Sequence, residues 1–457
     1  MADIFERFAK RTPVGVMARA ALEFGLDPSA MNDLFAEHAE HQYERKLLFS
    51  TMVDLAALVV CGVHPSVHAA YQAIREQVPV SLTALYDKLG RVEVPITEAL
   101  VAYMAGRLRP VIAELGAVDR WLEGYRIRVV DGNHLAATDR RLAVLRECAA
   151  GPLPGQSLVV LEPEIGLAVQ MVGCEDGHEQ ERSLLKPIIA AAEPNDVYIA
   201  DRNFCTLGFL FGLADRSAHF VIRQHANLPI ASCGTLRSRG RTDTGAVFEQ
   251  PITLRLDDAE LRARRIVIQL DAPTRDGDTE MAIITTLPRG IAAGTVADLY
   301  RRRWTIETLF GRLERNLQSE IAGLGYPKAA LFGFGVSLAA INVFAVVHAA
   351  MEAAKKAVPE VADMPLSDFA IVQEARSAYS AMDLAIDLVL DDDVWHQFHK
   401  MPPAAFAKCL KNWSAHINWR RFRKAVRSTK KSRPKRSRFK DKPHVSTARL
   451  LAGILPD

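Results

Sequence analysis

Two short runs carry the topology: Tyr125-Arg-Ile-Arg-Val-Val-Asp131 and Val197-Tyr-Ile-Ala-Asp201. The first alternates at period two, as a half-buried strand does, and the second is a short apolar run suited to a buried strand. Each ends in an aspartate. A carboxylate just past the end of a buried strand keeps a fixed position while its charge escapes burial. If the two strands lie side by side and parallel, both acids meet at one sheet edge. There they repel and need a cation, and Mg²⁺, which prefers oxygen ligands, suits them. Taken singly, either aspartate reads as a turn residue or a helix cap. Their matched settings single them out.

Between and beyond these runs, Leu158–Leu161 and Leu167–Val172 read as a hairpin around Pro163 and Gly166. Leu184–Ala192 and Thr206–Leu213 read as helices, and His219–Arg223 as a further strand. The order of three strands, helix, strand, helix, strand predicts an α/β, ribonuclease-H-like mixed sheet flanked by helices, with its first and fourth strands adjacent and parallel. This catalytic domain spans residues 121–350. It is interrupted by 225–287, a turn-rich stretch with three β-type runs that reads as a β-rich insertion. Residues 1–120 are helical by apolar spacing, and 351–457 form a helical C-terminal region with a basic tail. Within the N-terminal part, Ser66–Glu76 and Ser81–Leu89 fit a helix-turn-helix with Ser81, Thr83 and Lys88 toward DNA, or else two packed helices of a bundle.

A third acid comes from Tyr300-Arg-Arg-Arg-Trp-Thr-Ile-Glu307. Thr295 and Asp298 read as a capping pair opening a helix that runs to about Gln318. At about 100° per residue, Tyr300, Arg303, Glu307 and Glu314 fall within roughly a 60° arc. Leu299, Ile306, Leu309, Phe310, Leu313 and Leu317 form the adjoining apolar face. Glu307 can then reach a metal, while Arg303 and Tyr300 can hold a phosphate. Without the two strand-end acids the same stripe would read as a solvated helix face.

Together the three motifs resemble those of insertion-sequence DDE transposases, in particular the IS-four family. Asp131-Gly132 is similar to that family's first motif and Ala200-Asp201-Arg202 to its second. Tyr300, Arg303 and Glu307 match a Tyr-x2-Arg-x3-Glu-x6-Lys signature whose lysine position here holds Glu314. Seventy residues separate the aspartates, and 106 separate Asp201 from Glu307, room for a sheet and then an insertion. The resemblance covers roughly residues 120–350. It implies Asp131, Asp201 and Glu307 as catalytic, metal-binding carboxylates for two Mg²⁺ ions, with Mn²⁺ able to substitute. It also implies strand cleavage and strand transfer by in-line displacement, inverted-repeat ends and target DNA as partners, and a homodimer in a paired-end complex. Arg202, beside the second acid, is a candidate phosphate contact.

The net charge of +3 hides its distribution. Residues 419–442 carry thirteen Lys or Arg against one acid, a local +12 that leaves the other residues at −9. Arg420, Arg421, Arg423 and Lys424 open this stretch as DNA-binding candidates, with Trp413, Trp419, Phe422 and Phe439 interleaved for stacking. Six scattered cysteines without C-x-x-C pairing fit neither a zinc site nor a disulfide framework, and suggest a reducing cytoplasm. The N-terminus lacks the order of a secretory signal. The uncharged run from Ala329 to Met351 is long enough to span a bilayer. Its Ser337, Asn342, His348 and glycines favour a buried core helix, so no membrane is expected. The readings left open are an active transposase, a DNA-binding derivative without catalysis, and a structure-specific nuclease of the same fold.

Overall fold

The structure is a computed structural model. It describes residues 2–116, 118, 120–136, 142–146, 150–274, 277–377, 393–425 and 444–454. Seven helices come first: α1 (Ala2–Arg11), α2 (Pro13–Gly25), α3 (Pro28–His38), α4 (Phe49–Val60), α5 (Val67–Ala73), α6 (Leu82–Leu89) and α7 (Val94–Leu115). Then come β1 (Arg126–Leu135), α8 (Ala143–Arg146), β2 (Gly151–Leu153), β3 (Gly155–Glu162), β4 (Leu167–Cys174), α9 (Lys186–Ala190), β5 (Asp196–Ala200), α10 (Leu207–Asp215) and β6 (His219–Arg223). The next stretch gives β7 (Ser232–Cys233), β8 (Arg237–Thr242), β9 (Gly245–Leu256), β10 (Ala259–Leu270) and β11 (Glu280–Thr285). Three helices return the chain to the core: α11 (Ala293–Arg301), α12 (Trp304–Asn316) and α13 (Pro327–Lys355). Toward the C-terminus lie α14 (Asp393–His396), α15 (Pro403–Ser414), β12 (His444–Ser446) and α16 (Thr447–Leu451).

The main sheet runs β4-β3-β1-β5-β6-β11-β10-β9-β7, with β8 paired to β9. β3 and β4 form the expected antiparallel hairpin, β3 pairs antiparallel with β1, and β1, β5 and β6 are mutually parallel. That order and polarity are those of a ribonuclease-H-like fold. Residues 225–287 do not stand apart from it. β11 pairs antiparallel with β6, and β10, β9, β8 and β7 extend the same sheet outward.

Period two assigns the two faces. Ile127 and Val129 of β1, with Val197 and Ile199 of β5, point into the larger core, shared with α2, α4, α7 and α13. Val130, Tyr198, Ala200, Phe220 and Ile222 point the other way, against α9 and α10. The N-terminal helices therefore share one apolar core with the sheet. α13 lies inside that core: 94% of its most apolar window is buried, in line with the core-helix reading. Its polar residues are satisfied locally. Asn342 both donates to and accepts from the Ala168 backbone at 2.8 Å, where a bulge interrupts the β3–β4 ladder, and Ser337 donates to the Phe334 carbonyl. Gly335 lets α13 approach α7, since a side chain there would overlap Thr97.

Two local expectations fail. The helix expected from Thr295 to Gln318 is broken into α11 and α12, and the residue capping α11 is Ala292. Arg302 and Arg303 donate to the carbonyls three residues back, Leu299 and Tyr300, a tightening of 3₁₀ type between the end of α11 at Arg301 and the start of α12 at Trp304. The aromatics assigned to DNA stacking are also taken up by packing. Trp413 and Phe422 are buried and Trp419 packs against the same core; Phe439 lies outside the described residues.

Candidate active site

β1 and β5 are paired with Val129 opposite Ile199. Two residues further on, the same register sets Asp131 beside Asp201. Both keep the parity of Ile127, Val129, Val197 and Ile199, so they face the side of the sheet that carries α12. Asp131 accepts from the N–H of its neighbour, Gly132, at 3.0 Å. Asp201 caps a one-turn 3₁₀ segment by accepting from the Asn203 N–H at 2.8 Å. The sequence expectation of a strand closing at Asp131 fails, because β1 runs on to Leu135 by pairing with β3, so Asp131 is held inside a strand and only Asp201 follows a strand end. Strand pairing thus supplies the placement and local backbone donors fix the rotamers.

Arg303, at the head of α12, ties the third acid to the first. Its guanidinium donates to Asp131 Oδ2 at 3.0 Å and to Glu307 Oε1 at 2.7 Å. Burial pushes the Asp131 carboxyl up to about 6 against the pull of Arg303 and the Gly132 N–H, with Glu181 and Asp201 adding repulsion. Burial works against the Arg303 charge, and Asp131, Tyr300 and Glu307 outweigh it, so its pKa is raised. Tyr300 is buried behind Arg303 at the end of α11, and burial raises its hydroxyl above the usual range. In this arrangement Arg303 is engaged by carboxylates and does not lie open to a phosphate.

The acids open onto a cavity of about 1060 Å³ lined by Asp131, Asp201, Arg303, Glu307, Glu314 and Glu320. Ser66, His68 and Tyr86, from the N-terminal helices, line its opposite wall. Glu314 is exposed there, two turns beyond Glu307. Among the described residues no three His, Cys, Asp or Glu side chains are grouped closely enough to hold an ion. The Asp131–Asp201 pair still fits a hard divalent ion by its chemistry: two neighbouring carboxylates that repel each other, a repulsion a cation would relieve. Glu307 is instead held by Arg303, at 2.7 Å.

The remaining sequence-derived candidates are dispersed. Arg202 is exposed beside Asp201 and lines a separate small pocket with Arg182 and His225. Arg421 pairs with Glu374 at 2.8 Å, and the backbones of Arg423 and Lys424 pair with Leu366 and Pro365; Arg420 is exposed. Most of the basic stretch, 426–443, lies outside the described residues. Its far flank is anchored, because β12 pairs with β2 and Arg449 bridges to Asp176 at 2.7 Å. Of the helix-turn-helix candidates, Ser81 caps α6, and Lys88 donates to the Tyr43 carbonyl and sits over the Phe35 ring. Thr83 is exposed.

Sequence reading missed Glu181 and Asn203, whose side chains join at 2.7 Å beside the two aspartates. No strand-end pattern flags them, since they sit in short 3₁₀ turns. It also passed over Trp304, 64% exposed and next to Arg303. A large aromatic at the start of an amphipathic helix, off its apolar face, was the available signal.

A ribonuclease-H-like sheet presenting two aspartates from neighbouring parallel strands, beside a helix-borne glutamate, is an arrangement suited to phosphodiester chemistry. Residues 157–323, which include Asp201 and Glu307 but not Asp131, match the family model described as "Transposase DDE domain". A curated protein named "Putative transposase y4zB", from Sinorhizobium fredii (strain NBRC 101917 / NGR234), is 29% identical over 133 residues, 28% of this chain and 36% of that protein. The match thus spans about a third of the relative's length. The matched stretch is therefore similar to DDE transposase domains, over about a third of the chain.

Proposed function

We propose that the chain is an insertion-sequence transposase of the IS-four type, cutting and joining DNA at the inverted-repeat ends of its element as a paired-end dimer in the cytoplasm. The observation that carries this reading is the β1–β5 register, which sets Asp131 beside Asp201 on the sheet face that Glu307 approaches. Asp131 and Asp201 would hold the divalent ions, with Glu307 completing the set. Such ions, Mg²⁺ or Mn²⁺, lower the pKa of a bound hydroxyl and neutralise charge building on the phosphate.

The chain's own groups do the rest. The carboxylates form no covalent bond to DNA. Arg303, once freed from Glu307, turns its fork toward a phosphate, for which the planar guanidinium is suited. Tyr300 behind it limits its movement. Exposed Trp304 offers a stacking face for an unpaired base. The cavity wall from the N-terminal helices excludes water from one side of the bound strand.

A second reading, a DNA-binding derivative without catalysis, is favoured by Glu314 standing where the family places a phosphate-binding lysine. Divalent-ion-dependent nicking of DNA that carries the element's inverted repeats separates the two. The active reading expects nicking at the repeat ends; binding without nicking under Mg²⁺ and Mn²⁺ would leave the second.

A further inference from the structure

We infer that Glu181 is a positioning residue for Asp131 and Asp201. This inference rests on reading Asp131 and Asp201 as the ion-holding pair. Glu181 opens a 3₁₀ turn (Glu181–Leu184) that packs against the 3₁₀ turn after Asp201 (Arg202–Phe204). One of its carboxylate oxygens accepts from Asn203 Nδ2 at 2.7 Å, and the backbone N–H of the same Asn203 donates to Asp201 Oδ1 at 2.8 Å. The other oxygen lies over Gly132, where any Cβ would overlap the carboxylate. A single half-buried carboxylate therefore braces the residue after Asp131 and, through Asn203, the cap that orients Asp201.

Gly132 supports this independently. It is not among the glycines at positive φ, so the backbone there admits any residue. The missing side chain provides space, and Glu181 fills it. The family motif Asp-Gly thereby acquires a physical reason in this chain. Glu181 also sits beside two other acids, an unfavourable position for a carboxylate. Hydrogen-bonded partners behind ligating carboxylates fix their orientation, and their loss typically costs about 10- to 100-fold in metal affinity or activity.

The test uses the full chain and two readouts, Mn²⁺ binding by calorimetry and nicking of repeat-end DNA, with thermal midpoints as the folding control. Glu181→Gln keeps an acceptor for Asn203, whereas Glu181→Ala removes it. The expected result is that Glu181→Ala weakens Mn²⁺ binding and lowers kcat about 10- to 100-fold with KM for DNA unchanged, while Glu181→Gln stays within about threefold of wild type. Gly132→Ala should resemble Glu181→Ala and add nothing in its background, since both act on one contact. Wild-type behaviour of Glu181→Ala would overturn the inference. So would Glu181→Gln as impaired as Glu181→Ala, the signature of a direct ligand or a needed charge. Unaltered Mn²⁺ binding in Asp131→Asn and Asp201→Asn would instead sink the reading of the aspartate pair itself.

Discussion

At the scale of single residues, Asp131 carries the most testable electrostatics. Its carboxyl ordinarily titrates at 3.8 and is pushed up to about 6 here, first by burial. The folded state therefore holds this proton more tightly than the unfolded chain. The stabilisation that protonation brings is complete below pH 3.8 and is lost as pH rises through about 6. Above that, the ionised acid costs the ion-free fold about 3 kcal/mol. Asp131→Asn keeps an acceptor for Gly132 and Arg303 but cannot ionise. In EDTA at pH 8 it should raise the unfolding free energy by about 3 kcal/mol, an advantage that shrinks toward pH 4. Denaturant unfolding at the two pH values measures this; a variant less stable than wild type at pH 8 would contradict it. Both aspartates were legible in the sequence because each closes an apolar run that forms a buried strand, although β1 continues past Asp131 to Leu135 and only Asp201 stands at a strand end. Glu181 was not, because it reaches the site through a turn whose placement depends on tertiary packing.

At the scale of elements, the segment from Ala293 to Asn316 shows where helical periodicity stops being a guide. A continuous helix would have carried Tyr300, Arg303, Glu307 and Glu314 on one stripe. The tightened turn at Arg302 and Arg303 places Tyr300 on the preceding helix and aims Arg303 at Asp131. Glu307 and Glu314 remain two turns apart on α12, about 10 Å along its axis, too far to serve one compact ion pair. The basic stretch also changes character. Its flanks are held at Arg423 and at β12, and Val445 is buried with Leu145 and Ala150, so removing residues 420–457 would strip core packing together with charge. Replacing the Lys and Arg of 427–442 by Gln separates the two effects. Non-specific DNA affinity should then fall less steeply with salt, by about 0.9 in log–log slope for each phosphate no longer neutralised, with the thermal midpoint unchanged. An unaltered slope would assign the affinity to another surface.

At the scale of the whole molecule, the order of strands and helices was readable because periodicity and turn residues set each element locally. The joining of 225–287 to the sheet was not, since strand pairing between distant segments leaves no local trace. β11 lies in register against β6, with Ile283 opposite Arg223, so the stretch closes an edge that would otherwise be bare. Replacing 225–287 with a Gly/Ser linker should therefore destabilise or aggregate the protein. Shortening only 232–242, the β7–β8 margin, should leave a cooperative unfolding transition. A folded, soluble protein lacking all of 225–287 would show that the sheet does not depend on this extension.

If Asp131, Asp201 and Glu307 form one ion-holding site, the decisive measurement is Mg²⁺-dependent nicking of inverted-repeat DNA, run side by side with gel-shift binding. Asp131→Asn, Asp201→Asn and Glu307→Gln should each fall to the ion-free background while still binding the repeat ends. Glu314→Lys should cut as well as wild type and bind at least as tightly, because it removes a negative charge from the cavity wall. A nicking-competent Glu307→Gln beside an inert Glu314→Lys would contradict the assignment of the third carboxylate.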